Sequence, residues 1–175
     1  MMTGKPLEQL LSPMVANRRV AMQTLDPKDI QLMEQIKKLK VDVVHQRIDP
    51  SEVTLVRPEV VESWIRSFNY GLDLYNYNYG PVVEQSALEE LFMSKGLLLK
   101  AADPYIRQLE NVLSSSDCII LLTDENGVML RVIEGSELLA RQNARFRLVT
   151  GSIWTEETVG TCAHGLTLIQ GTPFQ

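Results

Sequence analysis

Apolar and polar positions divide the chain into three stretches with different periods. From Asp26 to Val41, apolar residues recur at Ile30, Met33, Ile36 and Val41 with charged residues between them, the spacing of an amphipathic helix. Asp26-Pro27 supplies its start, because an Asp side chain caps free amides and proline is tolerated at the first helical position. Such a helix needs a surface to lie against, and a seam between two copies of the chain is one candidate.

The second stretch, Arg57 to about Ser114, keeps a helical period. Pro58 suits a first turn, Val60, Val61, Trp64, Ile65 and Phe68 mark a buried face, and Gly71 is a plausible stop. Tyr70 to Tyr79 alternates Tyr with Asn and closes on Gly80-Pro81, which predicts a loop. Ser86 with Glu89 has the spacing of a capping box. Leu88, Leu91, Phe92 and Leu97-Leu98-Leu99 continue the apolar face. Asp103-Pro104 is expected to restart or kink the helix, and Ile106, Leu109, Val112 and Leu113 carry it to Ser114-Ser115-Ser116.

The third stretch changes period. Cys118 to Leu122 is a continuous apolar run, as in a strand covered on both faces, and Val128 to Ile133 is its return strand. Between them, Thr123-Asp124-Glu125-Asn126-Gly127 is turn chemistry, so an antiparallel hairpin is predicted. Asp117 and Asp124 flank the first strand as turn residues. Gly135 to Trp154 is expected to be loop, and Gly160 to Ile169 a short helix ending at Gly171-Thr172-Pro173.

Composition narrows the function classes. Two cysteines, Cys118 and Cys162, with no export signal, fit reduced cytosolic thiols better than a disulfide framework. No apolar run approaches the roughly 18 residues that would span a membrane. The net charge of −5 is uneven: residues 1–50 carry eight Lys/Arg against six Asp/Glu, and residues 51–175 nine against sixteen. An acidic body gathers no phosphates, so direct contact of this segment with nucleic acid is not expected. Lys37, Lys38 and Lys40 are the one basic cluster and fit the solvated face of a helix. The Tyr/Asn loop interleaves aromatics as a base-stacking surface would, but no basic residue lies between Arg66 and Lys95, which favours packing or an interface.

Candidate chemistry is sparse. No Ser/His/Asp constellation and no Gly-x-x-x-x-Gly-Lys-Ser/Thr phosphate loop is present, so no catalytic residue is assigned and no enzyme is expected. Cys162 and His164 combine a thiol with an imidazole, as metal sites and nucleophile–base pairs do. Two residues apart on a helix, however, their side chains would point about 200° apart. The remaining Cys and His, Cys118 and His45, are too few to complete a metal site, so no metal and no cofactor is assigned. Two readings of the pair stay open: a weak donor and a switchable imidazole shaping a ligand pocket, or ordinary core packing. Trp154 can wall a pocket or cap the core, and Glu156 and Glu157 are read as solvated.

Four ordered motifs carry a family resemblance. Arg57-Pro58 with Ser63-Trp64-Ile65-Arg66-Ser67 and Gly71-Leu72-Asp73 comes first, then Leu97-Leu98 with Ala101, Pro104, Leu109 and Leu113. Leu121-Leu122-Thr123-Asp124 with Gly127 follows, and last come Gly151, Trp154, Glu156, Gly160-Thr161, Ala163 and Gly165. In this order they resemble the N-terminal sensor region of bacterial sigma-54-dependent activators of the acetoin- and dihydroxyacetone-regulator type. About two-thirds of the chain is covered, and residues 1 to about 50 lie outside. Cys162 stands where that family usually has Asn, and His164 where it usually has an aliphatic residue, so the effector's identity is not transferred.

The resemblance implies an α+β chain: a helical N-terminal half followed by a partial GAF/PAS-like antiparallel sheet with flanking helices. The expected division is 1–50 as a helical extension, 51–103 as a helical connecting region and 104–175 as a partial GAF-like sensor core. The chain is expected to stop before the sheet is complete and before the family's ATPase and helix-turn-helix domains. The implied function is cytoplasmic sensing of an unknown small organic effector by a homodimer, without membrane contact, signalling through helices to an ATPase outside this chain. Trp154, Glu156, Thr161, Cys162 and His164 are the implied ligand-binding residues. The alternatives are a ligand-free GAF-like dimerisation module and, more distantly, a Cys162-based redox or metal sensor.

Overall fold

The computed structural model describes residues 26–114, 116 and 118–174; the expectations for residues 1–25 and Asp117 lie outside them. Helix α1 spans Pro27–Val44 and opens as its sequence predicts, with the Asp26 carboxylate accepting from the Lys28 amide at 2.8 Å. A short 3-10 turn at Pro50–Glu52 leads into α2, Pro58–Asn69. The surface that α1 needed is α2: Val43, Val44, Val61 and Trp64 form one buried cluster, flanked by Ile36, Leu39, Val60, Ile65 and Phe68. The first core of the molecule therefore joins the N-terminal extension to the connecting region.

Helices α3, Gln85–Ser94, and α4, Gly96–Leu113, follow the Tyr/Asn loop. The expected capping box is not made. Glu84 is the N-cap residue, Ser86 lies inside the first turn, and Glu89 accepts instead from the Gln85 side chain at 3.0 Å. Helix α4 runs unbroken through Pro104.

The hairpin forms as predicted. Strand β1, Ile119–Thr123, pairs antiparallel with β2, Met129–Glu134, with Ile120 opposite Ile133 and a bulge between Leu122 and Thr123. Strand β1 is half-buried along its whole length rather than sealed on both faces. At the turn, Asp124 Oδ1 accepts from the amides of Asn126 and Val128, and Gly127 takes φ +76°. Beyond β2 the strip 151–153 lies alongside: Met129 donates to the Ser152 carbonyl and Gly151 to the Met129 carbonyl, both at 2.8 Å. Val82 bridges the far side of that strip.

A helix, α5 (Glu137–Arg145), occupies part of the stretch expected to be loop between Gly135 and Trp154. Ser136 caps it by accepting from the Leu139 amide, and Asn143 is its one buried residue. Its inward positions, Ser136, Leu139, Ala140 and Asn143, keep a helical period, but two of the four are polar and no apolar stripe stands out. The final helix α6, Ala163–Gln170, starts three residues later than expected because Cys162 is extended, at φ −146° and ψ 153°. Among the described residues, no helix is long and apolar enough to cross a membrane.

Gly127 is a tight point of the hairpin turn. A Cβ there would lie 2.7 Å from Thr155 Cγ2 and 2.9 Å from the Trp154 carbonyl, on a backbone with positive φ. Gly127→Ala is expected to destabilise the protein by about 2 kcal/mol or more in urea unfolding. A variant as stable as the parent would contradict this account of the turn.

Candidate functional site

The segment from Trp154 to His164 is positioned from two sides. The Trp154 amide donates to the Gly127 carbonyl at 2.9 Å, which ties the start of the segment to the hairpin turn. The rest is drawn onto α2. Glu156, read from sequence as solvated, is 1% exposed. Arg66 Nε donates to its Oε2 at 2.7 Å and Arg66 Nη2 to its Oε1 at 3.0 Å, a two-pronged pair across the chain. Those bonds raise the Arg66 pKa further, and Glu62 at 3.6 Å adds to the same effect. A carboxylate this deep would be very costly without its partner, so the pair fixes where the segment sits.

Ser63 adds a second tie one turn earlier on α2, donating to Thr161 Oγ1 at 2.8 Å. Ser67, a turn later, is buried beside Gly160, and its hydroxyl has no hydrogen-bond partner among the described residues. Small residues on both sides let helix and turn meet closely. Gly165 does the same at the start of α6: a Cβ there would lie 2.9 Å from Cys162 Sγ and 3.4 Å from the Glu156 amide.

Cys162 and His164 do come together, contrary to the helical-spacing argument: Sγ lies 3.5 Å from Nε2. The 100°-per-residue geometry fails here because Cys162 is the extended residue before the helix and not part of it. Burial pushes the Cys162 thiol up to about 11, with Glu156 adding to the rise and the Gly165 amide opposing it. Burial also lowers the His164 pKa, against an opposing hydrogen bond to the Trp154 backbone. Both groups are therefore held neutral near pH 7, as a protonated thiol facing an uncharged imidazole. A thiol kept protonated is a poor nucleophile and a poor metal ligand. Among the described residues, no group of three or more His, Cys, Asp and Glu is placed to hold a metal ion.

Aromatic faces surround the pair. The Trp154 ring lies 5.8 Å from the His164 ring, and Trp154 Nε1 donates to the Arg147 carbonyl at 3.4 Å. From the Tyr/Asn loop, the Tyr77 ring packs at a tilt against Phe146 at 4.8 Å and edge-on to Tyr79 at 5.1 Å, and burial raises its pKa with a contribution from Cys162. Tyr77 was missed as a site neighbour because its loop carries no periodicity, whereas Phe146 was expected near Trp154 from the sequence. The five predicted residues thus share one region but do not all face one space. Of them, Glu156 alone lines a separate recess of about 290 Å³, together with Tyr70, Glu125, Gly165 and Leu168.

Fold and site together define an α+β chain in which a partial GAF/PAS-like antiparallel sheet is flanked by helices and preceded by a helical half. Over 113 residues, 65% of the chain, the sequence is 29% identical to the acetoin dehydrogenase operon transcriptional activator AcoR of Bacillus subtilis. The fold is similar, with a TM-score of 0.61 and 19% identity, to that of a chain in the crystal structure of the E. coli DhaR(N)–DhaL complex, over 66% of this chain. The match spans 18% of the activator's length and 39% of the length of the solved chain. No family model matches. In sequence and in fold, the chain resembles the N-terminal sensor region of such activators.

Two outcomes test the site's energetics. Arg66→Met leaves the Glu156 charge buried and unpaired, at an expected cost of about 3 kcal/mol. The double variant Arg66→Met/Glu156→Leu should recover most of that loss in chemical unfolding, whereas equal losses in both would refute the pairing argument. The second outcome concerns pH. The folded His164 pKa is lowered, so its neutral form is favoured in the native state. Its contribution to stability is complete above the unfolded value of about 6.5 and is lost as pH falls through the folded value. The melting temperature of the parent should fall more steeply than that of His164→Gln between about pH 7 and about pH 5.

Proposed function

We propose that the chain is the effector-sensing module of a transcription regulator. It reads a small polar organic molecule at Trp154, Thr161, Cys162 and His164, with Glu156 holding that segment to α2. The observation that carries the reading is the neutral thiol–imidazole pair backed by an indole, with both polar groups half-buried. Such a pair offers one weak donor and one ring that can donate or accept, which suits a hydroxyl or carbonyl ligand. Similarity to a transcriptional activator supports the regulatory context.

Output would run through the helices. The Arg66–Glu156 and Ser63–Thr161 ties join the segment to α2, and α2 shares its core with α1. A ligand shifts that assembly only if it binds two helix arrangements unequally. We take the working unit to be a homodimer built through the helical half, signalling to an ATPase domain outside this chain.

One observation favours a second reading, a protein-docking module. The solved structure of similar fold is that of a complex, DhaR(N) with DhaL. Here Met93 and Leu97, each 84% exposed, offer apolar surface for such a partner.

The two readings separate in a thermal-shift screen of hydroxyketones, diols, organic acids and phenols. A true effector at a hundredfold excess over its Kd should raise the melting temperature by about 5 °C or more. Cys162→Ala and His164→Ala should remove that shift. No stabilising compound, or a shift indifferent to both substitutions, would overturn the effector reading in favour of protein docking.

A further inference from the structure

We propose that Ser67 is the effector's contact on α2: its hydroxyl bonds an oxygen of the bound molecule and so ties occupancy of the site to the position of that helix. The inference rests on the effector reading above and names the residue that reports binding to α2.

The run Ser63-Trp64-Ile65-Arg66-Ser67 supplies the first argument. Four of its five side chains are accounted for within the chain. Ser63 donates to Thr161 Oγ1, Trp64 belongs to the core shared with α1, Ile65 packs against that core, and Arg66 holds Glu156. Ser67 is 2% exposed, and its hydroxyl has no partner among the described residues. An unmade hydrogen bond on a buried group is unfavourable, whereas a methyl in its place carries no such cost. A partner that arrives with the bound molecule removes that cost in the occupied state alone.

Position is the second. Ser63 and Ser67 lie four residues apart, one turn along the same face of α2. Ser63 holds Thr161, and Ser67 stands beside the preceding residue, Gly160, two positions from Cys162. A Cβ built on Gly160 would meet Leu72 Cδ1 at 3.6 Å and Ser67 Oγ at 3.8 Å, so a carbon atom has room beside the hydroxyl. Leu72, half-buried at the start of the Tyr/Asn loop, borders the same space, and a side chain can move aside where backbone cannot.

The third argument is what a sensor requires. A ligand changes the balance between two helix arrangements only through contacts that it makes unequally in them. Cys162 and His164 sit on the segment, and Ser67 sits on α2. A molecule bonded to both is held best at one separation of helix and segment, which is the unequal contact that signalling needs. The hydroxyl can donate or accept, so it suits a hydroxyl or a carbonyl oxygen equally.

The test is thermal unfolding of the full chain, alone and with hydroxyacetone, ethylene glycol, lactate or phenol at about 10 mM. Without a probe, Ser63→Ala breaks a bond that is made and should lower the melting temperature by about 3 °C. Ser67→Ala should leave it unchanged or raise it. A probe that stabilises the parent should bind Ser67→Ala about tenfold more weakly. If Ser67→Ala loses as much stability as Ser63→Ala, the hydroxyl is already bonded in the free chain and the inference is overturned. A shift that survives Ser67→Ala but not Cys162→Ala would overturn it too, and leave the effector reading standing. A parent that none of the four probes stabilises would overturn both.

Discussion

The placement of the candidate site depends on one buried charge. The Glu156 carboxylate lies out of water with both oxygens on the Arg66 guanidinium. Removing a carboxylate from water is unfavourable by several kcal/mol, and only a close, well-aligned cation offsets it. The ion pair therefore acts as a positional constraint more than as a net source of stability. It requires the 155–162 segment to stay on α2, and Ser63 with Thr161 fixes the register of that contact. Gly165 completes the arrangement, since its missing side chain lets Cys162 and the Glu156 backbone share one small space.

From that constraint the rest of the architecture follows in order. Helix α2 is held on one side by the loop and on the other by α1, through Val43, Val44, Val61 and Trp64. The hairpin is held to the same loop by the Gly127–Trp154 hydrogen bond and by the 151–153 strip beside β2. The Lys95–Glu125 pair links the start of α4 to the hairpin turn. Any movement of the Trp154–His164 segment is thus shared with a helix pair on one side and a sheet on the other. Stiff connection is necessary for a sensor but not sufficient, because signalling also needs two packings of comparable free energy.

Local chemistry was legible in the sequence, and long-range pairing was not. Asp26-Pro27 announced the start of α1, and the Asp124–Gly127 turn announced the hairpin, because each depends on neighbours a few residues apart. The burial of Glu156 could not be seen, since the cation that makes it tolerable lies 90 positions earlier in the chain. The contact between Cys162 and His164 was hidden by a boundary error of three residues. Once Cys162 is taken as the extended residue ahead of the helix, helical spacing no longer separates the two side chains. Helix α5 escaped because its stability rests on a Ser136 cap and one buried Asn143, neither of which makes an apolar stripe.

The thiol–imidazole pair is best understood by asking what a purely structural role would have required. Two apolar side chains could fill the same volume without desolvating a ring nitrogen and a thiol. Here both are buried enough to shift their pKa values in opposite directions, each toward the neutral form. Neutrality matters for recognition. A charged imidazolium or thiolate would bind counter-ions and water strongly, whereas a neutral donor and acceptor can exchange their mutual contact, a weak sulfur hydrogen bond at 3.5 Å, for stronger bonds to a ligand. A weak contact between two half-buried polar groups is the one that the proposed effector would replace. That is the physical argument for reading the pair as receptive rather than as filler.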